Sequence, residues 1–230
     1  MIRIITPALA LCAVCQFAFA NATPISSFDA DVTEWDSNTL AIPGVTIPIG
    51  GSGQVNGNFA IVEYPGSGAQ IGLRANQRFS PTELPNSGPD YIAKAGESTP
   101  GNATWNYDIH IDLRTTGLSF DDFDIAFTTN VPNHSSPNLQ AGLEAAFTLA
   151  PGSLNNIELF QTSQNPAFFA SGIDLNAPGP YTFSLVLTPK SGVNHPVLGT
   201  DITVTVVPEP ATALLCGLGL AATTLSRRRR

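Results

Sequence analysis

The segment from Trp105 to Leu113 alternates between apolar and polar residues without interruption. Trp, Tyr, Ile, Ile and Leu fall on one face, whereas Asn, Asp, His and Asp fall on the other. A period of two residues indicates a β-strand, because successive side chains of a strand point to opposite faces of its sheet. The segment therefore predicts a strand with one face on a hydrophobic core and the other face in solvent.

Shorter segments repeat this alternation, and proline and glycine punctuate the gaps between them. The candidate strands are 59–64, 71–75, 123–128, 143–149, 157–161, 181–187 and 201–206. Leu139, Leu143 and Phe147 also fit a helix, so the structure of that segment stays open. Many short strands, with turn signals and no alternation of strands with helices, predict an all-β fold, an antiparallel β-sandwich.

The chain enters the strand at 181–187 through a turn that begins at Asp174 and ends in Pro178-Gly179-Pro180-Tyr181. A turn followed by tyrosine resembles the corner of immunoglobulin-like sandwiches, where the Tyr hydroxyl bonds back to the turn. Phe183 stands where those domains carry a cysteine. The resemblance is therefore architectural, and an ordinary hairpin with a half-buried Tyr181 explains the pattern equally well.

The N-terminal residues have the three parts of a secretory signal peptide. Arg3 supplies a positive charge, residues 4–19 form an apolar stretch, and Ala18 and Ala20 flank Phe19 in a cleavage site of the A-x-A type. Residues 20–22 offer an alternative cleavage site. We therefore predict a signal peptide and its helix over residues 1–22, followed by an exported domain over residues 23–206.

The C-terminal residues combine a short extended motif, an apolar segment and a cluster of positive charge. Pro208, Glu209 and Pro210 follow Val207, and prolines at these positions keep the motif extended. The apolar run 211–225 predicts a C-terminal transmembrane helix. Residues 211–226 would span about 24 Å as a helix, which is short of the roughly 30 Å hydrocarbon core of a bilayer. The four terminal arginines are placed to stop translocation on the cytoplasmic side; they are Arg227, Arg228, Arg229 and Arg230.

This order of Pro-Glu-Pro, glycine-containing apolar helix and arginine cluster resembles the PEP-CTERM sorting signal of exopolysaccharide-producing Gram-negative bacteria. The resemblance covers residues 207–230. It implies that an exosortase, an integral membrane protease or transpeptidase, recognises Pro208, Glu209 and Pro210 while the helix holds the precursor transiently in the inner membrane. The mature protein is then expected at the cell surface or outside the cell.

The exported domain is acidic and lacks cysteine, because Cys12, Cys15 and Cys216 all lie in the two terminal segments. Five of the ten basic residues and one of the eighteen acidic residues also lie in those segments, so the domain has a net charge of −12. It is neither a disulfide scaffold nor a thiol enzyme. The negative charge disfavours binding to nucleic acid.

Two groups of side chains are candidate cation sites. Asp121, Asp122 and Asp124 offer clustered carboxylates for Ca²⁺, as does the pair Asp29 and Asp31, without the loop of an EF-hand. A second group, on one face of the longest predicted strand, consists of Asp108, His110 and Asp112. A solvated outer face explains this second group as well, and no other cofactor is predicted.

The sequence contains no zinc-protease motif, nucleophile elbow or phosphate-binding loop, so we predict a protein that is not an enzyme. Gly66-Ser67-Gly68 is interpreted as a flexible turn, and His195 as an exposed loop residue. Trp35 is a candidate for stacking on a sugar ring, whereas Trp105 is predicted to face the core.

The predicted function is that of an exported surface or extracellular-matrix protein that associates with exopolysaccharide. The alternatives are a carbohydrate-binding domain and a secreted hydrolase with a Ser/His pair or converging carboxylates in a cleft. Ice binding is disfavoured, because it needs a flat, regular array of threonines. Thr203 and Thr205 are the only T-x-T pair in the sequence.

Overall fold

The structure is a computed structural model that describes residues 25–31, 39–42, 45–48, 58–80, 83–133, 158–168, 173–174 and 176–208. The predicted signal peptide, the predicted strand 143–149 and the segment after Pro208 lie outside the described residues. In the described part of the chain, no helix has the length and apolar character that crossing a membrane requires.

In the described residues, the fold consists of two five-stranded sheets and two short hairpins. The first sheet has the order β1-β4-β5-β10-β12, and all its pairings are antiparallel. Its strands are β1 (Ile25–Asp31), β4 (Asn58–Tyr64), β5 (Ala69–Gln77), β10 (Trp105–Asp112) and β12 (Leu159–Gln164). The hairpins are β2 (Thr39–Ile42) with β3 (Val45–Pro48), and β8 (Glu97–Thr99) with β9 (Asn102–Ala103).

The second sheet has the order β11-β13-β14-β7-β6 and is mixed rather than purely antiparallel. Its strands are β6 (Asn86–Ser87), β7 (Asp90–Lys94), β11 (Phe123–Thr129), β13 (Gly179–Pro189) and β14 (Leu198–Val207). A 3-10 turn, Phe120–Asp122, precedes β11. The β7–β14 pair is parallel, which local alternation could not indicate, because the same pattern fits either strand direction.

The two sheets pack on each other through one hydrophobic core. Tyr107 of β10 stacks on Phe127 and Phe183 of the opposite sheet, with ring centroids 5.1 and 4.7 Å apart. Trp105 meets Phe183 edge to face, and it is buried as predicted. Such aromatic pairs add about 0.5–1.5 kcal/mol each to the burial of their apolar area. The all-β prediction is thus confirmed by two sheets that share a core.

The outer face of the first sheet is also buried, contrary to the interpretation of β10 as a strand with a solvated polar face. Asn106, Asp108 and His110 are at most 5% exposed, although they alternate with the core residues of β10. Neighbouring strands add buried polar residues to the same face; these include Arg74, Asn76, Gln161 and Ser163. The polar side chains on this face must therefore form hydrogen bonds with other protein groups, because water does not reach them.

Most predicted strands that lie in the described part of the chain are confirmed with small shifts of their ends. The segments 59–64, 71–75, 123–128, 181–187 and 201–206 correspond to β4, β5, β11, β13 and β14. The segment 157–161 overlaps β12, which begins two residues later. The short strands β6 to β9 were not predicted, since two to five residues are too few to establish a period of two.

Candidate functional site

A pocket of about 430 Å³ lies where three connections meet at one end of the two sheets. The β4–β5 turn contributes Tyr64, Gly66 and Ser67, and the chain after β10 contributes Thr115, Thr116 and Leu118. The β13–β14 connection contributes Asn194 and His195. Loops held by a rigid framework are where proteins commonly place binding groups, and this volume lies in the range of small-molecule sites.

Ser67 and His195, which both line this pocket, form a hydrogen bond with each other. The Ser67 Oγ and the His195 Nε2 are 3.0 Å apart. The His195 Nδ1 lies 2.8 Å from the carbonyl oxygen of Pro196, which can only accept, so Nδ1 carries the proton. In the neutral ring, Nε2 is then the acceptor, and the Ser67 hydroxyl donates to it. The Ser67 Oγ in turn accepts a 3.3 Å hydrogen bond from the Ala69 N–H.

The imidazole ring of His195 is held by two aromatic neighbours. Tyr64 meets it edge to face with centroids 4.9 Å apart, and Phe123 does so at 5.3 Å. His195 is half-buried as a result, so its interpretation as an exposed loop residue is wrong. Its neighbours in sequence are Asn194 and Pro196, and the aromatic contacts come from distant parts of the chain.

The turn that carries Ser67 is fixed rather than flexible. The N–H groups of Ser67 and Gly68 both donate to the carbonyl oxygen of Tyr64, at 3.1 and 2.7 Å. The Thr115 hydroxyl donates to the carbonyl oxygen of Ser67 at 3.0 Å. Gly68 has a φ of +76°, a conformation that favours glycine. The turn therefore presents Ser67 to His195 in one geometry.

A separate buried ion pair lies on the outer face of the first sheet. The Arg74 Nε donates to the Asp108 Oδ2 over 2.6 Å, and both side chains are completely buried. The Asn76 amide donates to the same oxygen over 2.5 Å. The Arg74 guanidinium lies 4.8 Å from the centre of the Phe59 ring, a favourable cation–π distance.

His110 lies next to this pair and is hydrogen-bonded on both ring nitrogens. Its Nε2 is 2.8 Å from the Gln70 Oε1, and its Nδ1 is 3.0 Å from the Gln161 Nε2. An amide nitrogen donates and an amide oxygen accepts, so the ring is neutral with the proton on Nε2. Burial lowers the pKa of His110 to about 4; the charge of Asp112 raises it by a smaller amount, and the charge of Arg114 lowers it further.

Each of the three residues proposed as cation ligands on β10 is bonded to a different protein side chain or pair of side chains. Asp108 bonds to Arg74, His110 to the two glutamines, and Asp112 to Arg114 over 2.6 Å. In the ranges that the structure covers, no group of three or more His, Cys, Asp or Glu residues is arranged to hold a metal ion. The geometry therefore gives this trio a structural role.

In the acidic cluster, Asp121 and Asp122 lie in the 3-10 turn before β11, and Asp124 lies on β11. The Asp122 Oδ2 accepts from the Ser119 N–H over 2.8 Å, as in one half of a capping box, and from the Ser119 hydroxyl over 3.3 Å. Asp124 is exposed on β11. Calcium binding at these residues stays a prediction, and one of the three carboxylates already caps the turn.

The sorting segment begins where the last strand of the second sheet ends. Val207 is the final residue of β14, and its carbonyl oxygen accepts a 2.8 Å hydrogen bond from the Ala95 N–H. Residues 206–230 match the family of the PEP-CTERM protein-sorting motif. The tail is a PEP-CTERM sorting signal. This signal implies an exported protein whose membrane-anchored precursor is processed by exosortase, a membrane enzyme.

No curated protein and no solved structure matches the chain. The PEP-CTERM match covers the end of the chain, so it identifies how the protein is sorted rather than what its exported domain binds. Pro208 is the first residue of the recognition tripeptide and the last described residue, whereas Glu209, Pro210 and the four arginines lie outside the described residues.

Proposed function

We propose that the protein is a non-enzymatic component of the cell surface or extracellular matrix, which associates with exopolysaccharide after exosortase processing. The PEP-CTERM signal at residues 206–230 carries this proposal. The two-sheet domain that precedes it is stabilised by its core, without cysteines, and has a net negative charge. We further propose that this domain is an immunoglobulin-like β-sandwich, and that the precursor has a cytoplasmic C-terminus.

The junction between strand and signal leaves no spacer between the folded domain and the Pro-Glu-Pro motif. Val206 and Val207 pair with Ala93 and Lys94 of β7, so the folded domain extends to the residue before Pro208. A processing enzyme must act next to a strand that is hydrogen-bonded on both sides. The domain would then leave the membrane as a folded unit, with little chain left beyond β14.

Replacing both Pro208 and Pro210 by alanine should keep the protein in the membrane fraction. The change removes the two residues that hold the recognition motif extended. We would compare tagged wild-type and double-variant proteins by cell fractionation and by the mass of the C-terminal fragment, in strains with and without the exosortase. Normal release of the double variant would contradict the proposed role of this motif.

The association with polysaccharide is tested with the purified domain, residues 23–207, which keeps β14 complete. We expect it to be retained on immobilised extracellular polysaccharide from the producing cells and not on underivatised matrix. A matched acidic control protein separates specific retention from ionic effects, because the domain has a net charge of −12. Absence of retention at low and at physiological salt would end the polysaccharide part of the proposal.

The hydrogen bond between Ser67 and His195 favours one second candidate, a secreted serine hydrolase. The pair has the donor and acceptor orientation that a nucleophile and its general base require. The N–H groups of Ser67 and Gly68, however, already donate to Tyr64, so this turn offers neither of them to an oxyanion. Covalent labelling of wild-type protein but not of Ser67→Ala by a fluorophosphonate would establish the hydrolase.

A further inference from the structure

The lining of the pocket at the β4–β5 turn is polar but uncharged. Its polar groups are the hydroxyl, amide and imidazole groups of Ser67, Thr115, Thr116, Asn194 and His195. The lining contains no aspartate, glutamate, lysine or arginine. An anionic ligand would find no cation here, and a hard metal ion would find no carboxylate. The chemistry instead suits a neutral ligand that is rich in hydroxyl groups.

Two groups at the pocket have hydrogen-bonding capacity to offer such a ligand. The Tyr64 hydroxyl and the Asn194 side-chain amide make no hydrogen bond within the described part of the chain, and Asn194 is exposed. An amide donates and accepts at once, as adjacent sugar hydroxyls require. The Tyr64 ring and Leu118 add apolar surface for the C–H face of a sugar ring.

The remaining polar groups make the pocket rigid. The Ser67 hydroxyl is committed to His195, and the Thr115 hydroxyl to the Ser67 carbonyl. The Thr116 hydroxyl donates to the Leu113 carbonyl over 2.7 Å and accepts from the Leu118 N–H over 2.8 Å. Because these bonds join three separate connections, the pocket is formed before any ligand arrives, which lowers the entropy cost of binding.

We propose that this pocket binds one neutral sugar unit of a polysaccharide, with Tyr64 and Asn194 as the contact residues and the Ser67–His195 pair as their support. The assignment rests on the proposed association with exopolysaccharide and names the site and the ligand class for it. Gly66 also contributes, because a Cβ there would lie 2.9 Å from the Tyr64 ring and displace it. The position of the ring over the turn therefore depends on glycine.

The inference is tested by titrating the exported domain with glucose, galactose, mannose and neutral oligosaccharides from hydrolysed extracellular polysaccharide. Binding is followed by NMR shifts of the His195 imidazole and Asn194 amide signals. Asn194→Trp should block the pocket mouth and weaken binding at least about tenfold, whereas Asn176→Trp, at an exposed turn outside the pocket, should leave it unchanged. Gly66→Ala should weaken binding through the displaced Tyr64 ring.

The outcomes separate this inference from the proposed function. Retention on polysaccharide that Asn194→Trp and Asn176→Trp share equally would overturn the pocket assignment while the polysaccharide association stands. Oligosaccharide binding at the pocket without retention of the domain would support the pocket and end the matrix proposal. Shifts confined to residues outside the pocket, or no shift with any sugar, would overturn the assignment. A melting temperature for each variant near that of the wild type confirms that the fold is intact.

Discussion

Replacing Asp108 by alanine should lower the free energy of unfolding of the exported domain by about 3–5 kcal/mol. The change leaves the Arg74 guanidinium buried without the carboxylate that accepts its 2.6 Å hydrogen bond, and it removes the acceptor of the Asn76 amide. A buried charge without its counter-charge is among the most costly single defects in a protein interior. Urea unfolding followed by tryptophan fluorescence measures the loss.

The control is Asp124→Ala, which removes an exposed carboxylate from β11 and should change the stability by less than about 0.5 kcal/mol. A double variant with leucine at positions 74 and 108 should recover much of the loss, since it removes both charges together. If Asp108→Ala and Asp124→Ala were equally stable, the ion pair would contribute nothing to folding. That result would also contradict the complete burial of Asp108.

Alternation along a strand predicts which residues share a face, but it does not predict what covers that face. The pattern from Trp105 to Leu113 correctly places Trp105 and Tyr107 in the core. The same pattern assigned Asp108 and His110 to solvent, because polar residues on one face usually indicate water. In the structure, Arg74 of the neighbouring strand neutralises Asp108, and a residue 34 positions away is not visible in a local pattern.

A local sequence pattern also does not show contacts between distant residues at the candidate sites. Some of these sites could therefore be predicted from the sequence, and others could not. The sorting signal is contiguous in the chain and depends on local conformation, hydrophobicity and charge. Its residues can therefore be identified from the sequence alone. The pocket depends on a hydrogen bond between Ser67 and His195, which are 128 positions apart. Either residue alone has the sequence surroundings of an ordinary loop. Only the approach of the β4–β5 turn to the β13–β14 connection gives the pair a role.

The exported domain should lose about 2–3 kcal/mol of stability between pH 7.5 and pH 4.5 through His110 alone. The pKa of His110 is lowered to about 4 in the folded protein by burial, compared with 6.5 in an unfolded chain. Between pH 6.5 and pH 4, His110 is protonated in the unfolded chain but neutral in the folded protein. Acidification in this range therefore favours unfolding. The contribution is fully present above pH 6.5 and is lost as the pH falls toward 4.

Comparison of wild-type protein with His110→Gln isolates this effect from other groups. Glutamine keeps a hydrogen-bonding side chain between Gln70 and Gln161 but does not titrate. The variant can be less stable at pH 7.5, yet its unfolding free energy should fall more slowly with acid than that of the wild type. Burial raises the pKa of Asp112, but the hydrogen bonds and charge of Arg114 lower it by more, so the net shift is downward. The stability that this lowered pKa provides is lost only below pH 3.8, the ordinary pKa of the group. Parallel stability curves between pH 7.5 and 4.5 would show that His110 accepts a proton in the folded state and that its hydrogen bonds to the two glutamines rearrange.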